Sequence, residues 1–275
     1  MPLATMRALL QKAAQNNCAV GAFGVANLEM IQGAVNAAEM TGTPIIIQIA
    51  EIRLPYSPLY LIGPAMIAAA RHTKVDVAVH LDHGTTLPCI REAIDLGFTS
   101  VMFDGSALPL EENIDKTNEI IALARPGNVT VEAELGRIGR TEDGLPSPVA
   151  YTDPQEALYF LRETGVDALA VGIGNAHGVY EGTPDLHFDV LEQISKENDT
   201  PLVLHGGTGL SDSDFQTCIR GGVRKINIAS AFFNACAQAV GFDPDIFMMS
   251  HSMIEASQKT ALEYMHHFRP IREGE

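Results

Sequence analysis

Cysteine is scarce and scattered. Four residues, Cys18, Cys89, Cys218 and Cys236, contain no CxxC pair, which excludes a cysteine metal knuckle and a dense disulfide framework. They read as buried, reduced thiols. Long apolar runs are also missing: none reaches the roughly 18 residues a membrane span needs, so no membrane partner is expected. The opening stretch, MPLATMRALLQKAAQNN, lacks the apolar block and small-residue cleavage site of a signal peptide. A cytoplasmic location is the expectation. Positive charge is in short supply, with 18 Lys and Arg against 34 Asp and Glu and a formal net charge of −16. There is no basic cluster, which argues against a nucleic-acid partner. An anionic ligand would have to be attracted locally, by a metal, a few cations or backbone N–H groups.

What the chain does have is apolar mass: 46% of its 275 residues are hydrophobic, enough for a large core. Eight strand-like runs, at 19–25, 44–50, 77–82, 100–104, 129–134, 168–174, 201–205 and 225–229, alternate with helix-like segments. One such segment begins at Asp153 and Pro154, a cap and first-turn pair, and stops at Gly165. Near-continuous apolar strands that each lead into a helix predict an α/β fold, a (β/α)8 TIM barrel. Residues 1–275 read as one domain without an internal linker, extended by two extra helices. The N-terminal one carries Leu3, Met6, Leu10 and Ala13 or Ala14 on one side, and the C-terminal one runs from about 250 to 267.

In such a barrel the C-terminal strand ends share one rim. Strand three ends in Asp82 and His83, strand four in Asp104, strand five in Glu134 and strand seven in His205; the turn after strand six carries His177, and strand eight carries Asn227. Any one of these alone reads as a loop anchor. Together they read as a site. His83, His177 and His205 each precede a glycine, and three neutral imidazoles with an open position are the donor set of a catalytic zinc site. By strand alternation His80 shares the side of Asp82, faces away from that of His83, and reads as structural. His72, His187, His251, His266 and His267 read as solvated.

Two further turns could cradle an anion. HGGTGLS leads into a helix starting near Ser211, and NIAS leads into another, so backbone N–H groups with the Thr208 and Ser230 hydroxyls could hold a phosphate after strands seven and eight.

The segments AFGVANLEM, HLDHG, SVMFDGSALPLEENI, VEAELGRIG, YTDPQEA, GVDALAVGIGNAHGVY, PLVLHGGTGLSD and KINIA together resemble the class II, metal-dependent ketose-bisphosphate aldolases. The resemblance covers roughly residues 5–240, in order. It implies an aldehyde-lyase that splits a phosphorylated ketose into dihydroxyacetone phosphate and an aldehyde. It implies His83, His177 and His205 as ligands of one catalytic Zn2+, with Asp104 and Glu134 near an alternative or second metal site. Asp82 matches the acid that protonates the aldehyde oxygen in condensation, and Glu142 the mobile-loop carboxylate that deprotonates dihydroxyacetone phosphate. Gly178, Gly206, Gly207, Thr208 and the run Asn227, Ile228, Ala229, Ser230 match the phosphate cradle, where family members often also hold a monovalent cation. A homodimer or homotetramer is the implied assembly.

The departures from the family pattern are concentrated on the aldehyde side. Asp245 stands in FDPDIFMM where the family often has the arginine that reaches a distal phosphate. A carboxylate there repels such a group and cannot replace the arginine fork. Gly24 replaces a usual Asn, Ala107 a frequent His, Arg140 a usual Gly, and SAFF replaces a TEL-like segment. The expectation is an intact reacting half with a rebuilt aldehyde half: a ketose 1-phosphate that releases an unphosphorylated aldehyde, with Arg53 and Arg140 as candidate contacts to an acidic or sugar-like tail. Two other readings compete. A three-histidine barrel hydrolase accounts for the ligands but not for the cradle or Glu142. A non-catalytic partner subunit conflicts with the intact Asp82, Glu142 and three histidines.

Overall fold

Strand hydrogen bonds close the chain on itself. The structure is a computed structural model that describes residues 3–136, 151–178, 180, 182–241 and 245–269. Its strands are β1 (Val20–Gly24), β2 (Ile45–Ala50), β3 (Val77–Gly84), β4 (Ser100–Phe103), β5 (Thr130–Leu135), β6 (Ala168–Val171), β7 (Leu202–Leu204) and β8 (Val223–Ile228). They pair in sequence order, all parallel, and β8 returns to β1 to close the barrel. The helices are α1 (Met6–Gln15), α2 (Leu28–Thr41), α3 (Leu59–His72), α4 (Leu87–Leu96), α5 (Leu110–Ala124), α6 (Pro154–Thr164), α7 (Phe188–Ser195), α8 (Asp212–Arg220), α9 (Ser230–Ala239) and α10 (Ile246–His267). The TIM barrel expected from the alternation is the observed fold.

Period-two alternation sorts the strand residues into two layers. Ile45, Ile47 and Ile49 of β2, and Val77, Val79 and Leu81 of β3, belong to the apolar cluster that includes the helices. Val20, Ala22, Ile46, Ala78, Ala168, Ala170 and Val203 form a second cluster with Met6, Leu9, Leu10 and Ala13 of α1. The small interior alanines leave room for that helix, which plugs the N-terminal end of the barrel. Its first turn is capped by the Thr5 hydroxyl, which accepts from the Ala8 N–H. Leu3 therefore lies ahead of the helix, bridged to Val77, and Leu9 takes the place the sequence reading gave it.

Local caps set the other element ends. Asp153 accepts from the Gln155 and Glu156 N–H groups, and Gly165 ends α6 in the left-handed region. Ser211 and Asp214 form a reciprocal capping box at the start of α8. Helix α10 begins at Ile246, earlier than expected, because the Asp245 carboxylate accepts from the Phe247 N–H at 2.9 Å. His267 also departs from its expected solvated role: it is half-buried, stacked on Phe215 and ion-paired with Asp212. With one barrel end sealed by apolar side chains, the polar interior lies towards the other.

Candidate active site

Strict alternation would send Asp82 inward and His83 outward. The structure brings both to the mouth. His83 has φ +43°, in the left-handed region, and the pairing of β3 with β4 shifts register between Leu81 and Gly84. This local irregularity re-aims the side chain, as bulges do at active sites. His83 Nε2 then lies 2.8 Å from His205 Nδ1. The His177 ring, from the loop after β6, stands 5.0 Å from that of His83 and 5.9 Å from that of His205, centroid to centroid. One donor nitrogen from each of the three lies within 4.8 Å of the others. Gly206 makes the approach of the β6 and β7 loops feasible. Its φ is +66°, and a Cβ there would sit 2.2 Å from the Ala176 carbonyl oxygen.

Carboxylates hold the imidazoles from behind. His83 Nδ1 is 2.7 Å from Asp104 Oδ2, and His205 Nε2 is 2.9 Å from Glu132 Oε1. Asp104 itself accepts from the Ser106 hydroxyl and N–H. Glu134 Oε2 lies 3.9 Å from both His83 Nδ1 and His205 Nδ1, and among the described residues it is buried without a hydrogen-bond partner. His83, Asp104 and Glu134 thus form a second donor set that shares His83 with the first.

Burial and close charges shift these groups in opposite directions. Burial alone would lower the His83 pKa, but Asp82, Asp104 and Glu134 raise it well above the ordinary value. Burial, with the Asp104 charge, pushes Glu134 well above the usual carboxylate range. His205 is lowered to about 4, chiefly by burial. Against the effect of burial, Lys225 and His205 hold Glu132 down at about 2.

Asp82 sits in a seat of donors. Gln48 Nε2 is 2.9 Å from its Oδ2, and Asn227 Nδ2 is 3.1 and 3.3 Å from its two oxygens. Burial opposes its ionisation, but His83, His80 and Lys225 lower its pKa well below the ordinary value. Beneath it, His80 is fully buried with Nδ1 2.7 Å from the Ser100 hydroxyl, and Lys225 is fully buried beside Glu132 at 2.8 Å. Gln48, Glu132 and Lys225 were not picked out from the sequence. A signal existed: Gln48 is the one polar residue of β2, and Glu132 and Lys225 each stand two positions before a rim residue.

The two segments expected to cradle a phosphate are hydrogen-bonded to each other. The Gly207 N–H donates to the Asn227 carbonyl at 3.1 Å, and the Ala231 N–H donates to the Thr208 hydroxyl at 3.2 Å. Gly178, with φ +91°, follows His177, and Ala229 and Ser230 open α9 without a side-chain cap. The Ile228 side chain points into the apolar cluster and the Asn227 amide into the Asp82 seat. At Gly207 the Ile228 side chain and the Asn227 carbonyl both lie close by, 3.0 and 3.1 Å from where a Cβ would stand.

Of the residues expected on the aldehyde side, Arg53 lies 5.6 Å above the Phe233 ring. Both line a cavity of about 430 Å3 with Ala26, Tyr56, Ser57, Ser230 and Asn234. A smaller recess joins Arg53 and Phe233 to Gly24, Gln48 and Asp82. A Cβ on Gly24 would come 2.8 Å from that of Ala229, so the two segments pack too closely there for a side chain. Asp245 is exposed, and its carboxylate caps α10. Arg140 and Glu142 lie outside the described residues.

The donor set fits a divalent cation. Two imidazole nitrogens face each other with their opposite nitrogens tied to carboxylates, a third imidazole stands beside them, and among the described residues a buried carboxylate oxygen has no hydrogen-bond partner. Comparison with known proteins agrees with this arrangement. Residues 4–272 match the model of the family described as fructose-bisphosphate aldolase class-II. The chain is 40% identical over 243 residues to a 6-phospho-5-dehydro-2-deoxy-D-gluconate aldolase of Halalkalibacterium halodurans, covering 87% of this chain and 84% of that one. It is 39% identical over 244 residues to a fructose-bisphosphate aldolase of Staphylococcus aureus, covering 87% and 85%. The crystal structure of the YdjI aldolase from Escherichia coli K12 superposes with a TM-score of 0.88 at 35% identity, over 97% of each chain.

Proposed function

Because the chain belongs to the class II fructose-bisphosphate aldolase family, we propose that it cleaves a ketose 1-phosphate reversibly into dihydroxyacetone phosphate and an unphosphorylated aldehyde. The family places it among the metal-dependent carbon–carbon lyases acting on phosphorylated sugars. The finer assignment is carried by one observation: Arg53, together with Phe233, lines both the aldehyde-side cavity and the recess that reaches Asp82. A guanidinium there suits a carboxylate or hydroxyl-rich tail. The relative from Halalkalibacterium is named for a substrate that is a sugar acid with a single phosphate.

In this reading His83, His177 and His205 hold Zn2+, with Asp104 and Glu134 at an alternative or second position. When bound, the ion supplies Lewis-acid stabilisation of charge that develops on the ketone oxygen. The chain's own groups move the protons. Asp82, kept ionised and aimed by Gln48 and Asn227, takes the C4 hydroxyl proton in cleavage and returns it to the aldehyde oxygen in condensation. Glu142 is assigned the proton on the dihydroxyacetone phosphate carbon. Among the described residues the Gln48 Oε1 and Asn227 Oδ1 atoms have no hydrogen-bond partner, which leaves them open to a substrate hydroxyl or a monovalent cation. The α9 N-terminus and the segments around Gly206, Gly207 and Thr208 hold the phosphate.

The test compares kcat/KM for ketose 1-phosphates that end in a carboxylate or a hydroxyl with that for fructose 1,6-bisphosphate. The monophosphates should be cleaved faster, and Arg53→Met should lower kcat/KM on the acidic one by roughly 10- to 100-fold, the size of a lost charged hydrogen bond. Fructose 1,6-bisphosphate cleaved far better than every monophosphate would overturn the reading.

A further inference from the structure

An ammonium group inside the barrel demands a reason. Lys225 is fully buried. Its Nζ lies 2.8 Å from Glu132 Oε2, 3.4 Å from His80 Nε2 and 3.9 Å from Asp82 Oδ1. The layer below uses alanine, valine and isoleucine, so the architecture itself tolerates an apolar filling. A buried ion pair is also a weak source of stability, since apolar replacements of similar volume often match it. His80, Asp82 and Glu132 have the donor spacing of a metal site, and the Lys225 ammonium already stands among the three as their cation.

We propose that Lys225 and Glu132 are positioning residues that select Nδ1 as the metal-binding atom of His205. The inference rests on the reading of His83, His177 and His205 as the metal ligands. Lys225 holds Glu132 Oε2, which leaves Oε1 as a pure acceptor 2.9 Å from His205 Nε2. The hydrogen of a neutral His205 must then reside on Nε2, and the lone pair on Nδ1, the atom that faces His83 Nε2. His83 is arranged the other way round, with Nδ1 tied to Asp104 and Nε2 turned to the centre. When both rings are neutral, as metal binding requires, they are therefore pinned in opposite tautomers. Asp104, nearer the rim, is steadied by the Ser106 hydroxyl and N–H; Glu132, in the closed interior, has Lys225 in that supporting role.

Three variants test this: Lys225→Met, Glu132→Gln, and both together. The double variant removes both charges at once and so should keep a melting temperature near that of the unaltered protein. Zinc affinity would be measured by chelator competition, the ligand field by the visible spectrum of the cobalt-loaded protein, and the His205 tautomer by ring 15N shifts. Each variant, the double included, should bind zinc roughly 10- to 100-fold more weakly, with an altered cobalt spectrum and His205 no longer held as the Nε2–H form. A folded double variant with unchanged zinc affinity and cobalt spectrum would overturn the proposal while leaving the metal reading intact. Failure of the unaltered protein to bind zinc would overturn both.

Discussion

A single residue in the left-handed region, His83, decides whether β3 delivers one functional side chain to the mouth or two. The sequence shows the pair Asp82 and His83 but not the bulge that turns both inward. That turn surrounds His83 with Asp82, Asp104 and Glu134, whose charges outweigh burial and raise its pKa well above the ordinary value. The sign of the consequence is definite. A raised pKa favours the protonated imidazole and a metal needs its lone pair, so zinc binding should release protons and weaken as pH falls. Calorimetric titration in buffers of different ionisation heat measures this directly; binding at pH 7 without proton release would contradict it. The strand-end residues were legible because they end apolar runs. Gln48, Glu132 and Lys225 were not picked out because none of them ends its strand, although each is a polar residue at a buried strand position.

Among the elements, the loops after β6 and β7 carry the tightest constraint. Gly206 combines a left-handed backbone with an approach to the Ala176 carbonyl that leaves no room for a methyl group. Gly206→Ala should therefore cost at least about 1–3 kcal/mol from backbone strain, a drop of several degrees in melting temperature for a chain of this size, and should part the segments that carry His177 and His205. An unchanged melting temperature would show that the two loops yield freely. The element pattern itself could be read in advance wherever a cap was visible, as at Asp153 with Pro154 and at Ser211. The start of α10 was misplaced because Asp245 was weighed only as a missing arginine; in the structure its carboxylate caps the helix. Helix α1 was shifted for a related reason, since Thr5 rather than Leu3 begins it.

At the scale of the whole molecule, the barrel was legible because eight repeated strand-and-helix units leave few other ways to bury parallel strands on both faces. The net charge of −16 adds a constraint that no single residue reveals: the long-range field repels a phosphorylated substrate, so affinity must come from the mouth itself. The proposed reaction would need a metal, a phosphate cradle and a base acting together on dihydroxyacetone phosphate, whatever the aldehyde. The most direct measurement is therefore hydrogen exchange of dihydroxyacetone phosphate in deuterated water, followed by NMR with and without a chelator. Loss of the C3 proton signal that the chelator abolishes is the predicted result; no exchange in a zinc-loaded, folded sample would contradict the proposed aldolase chemistry.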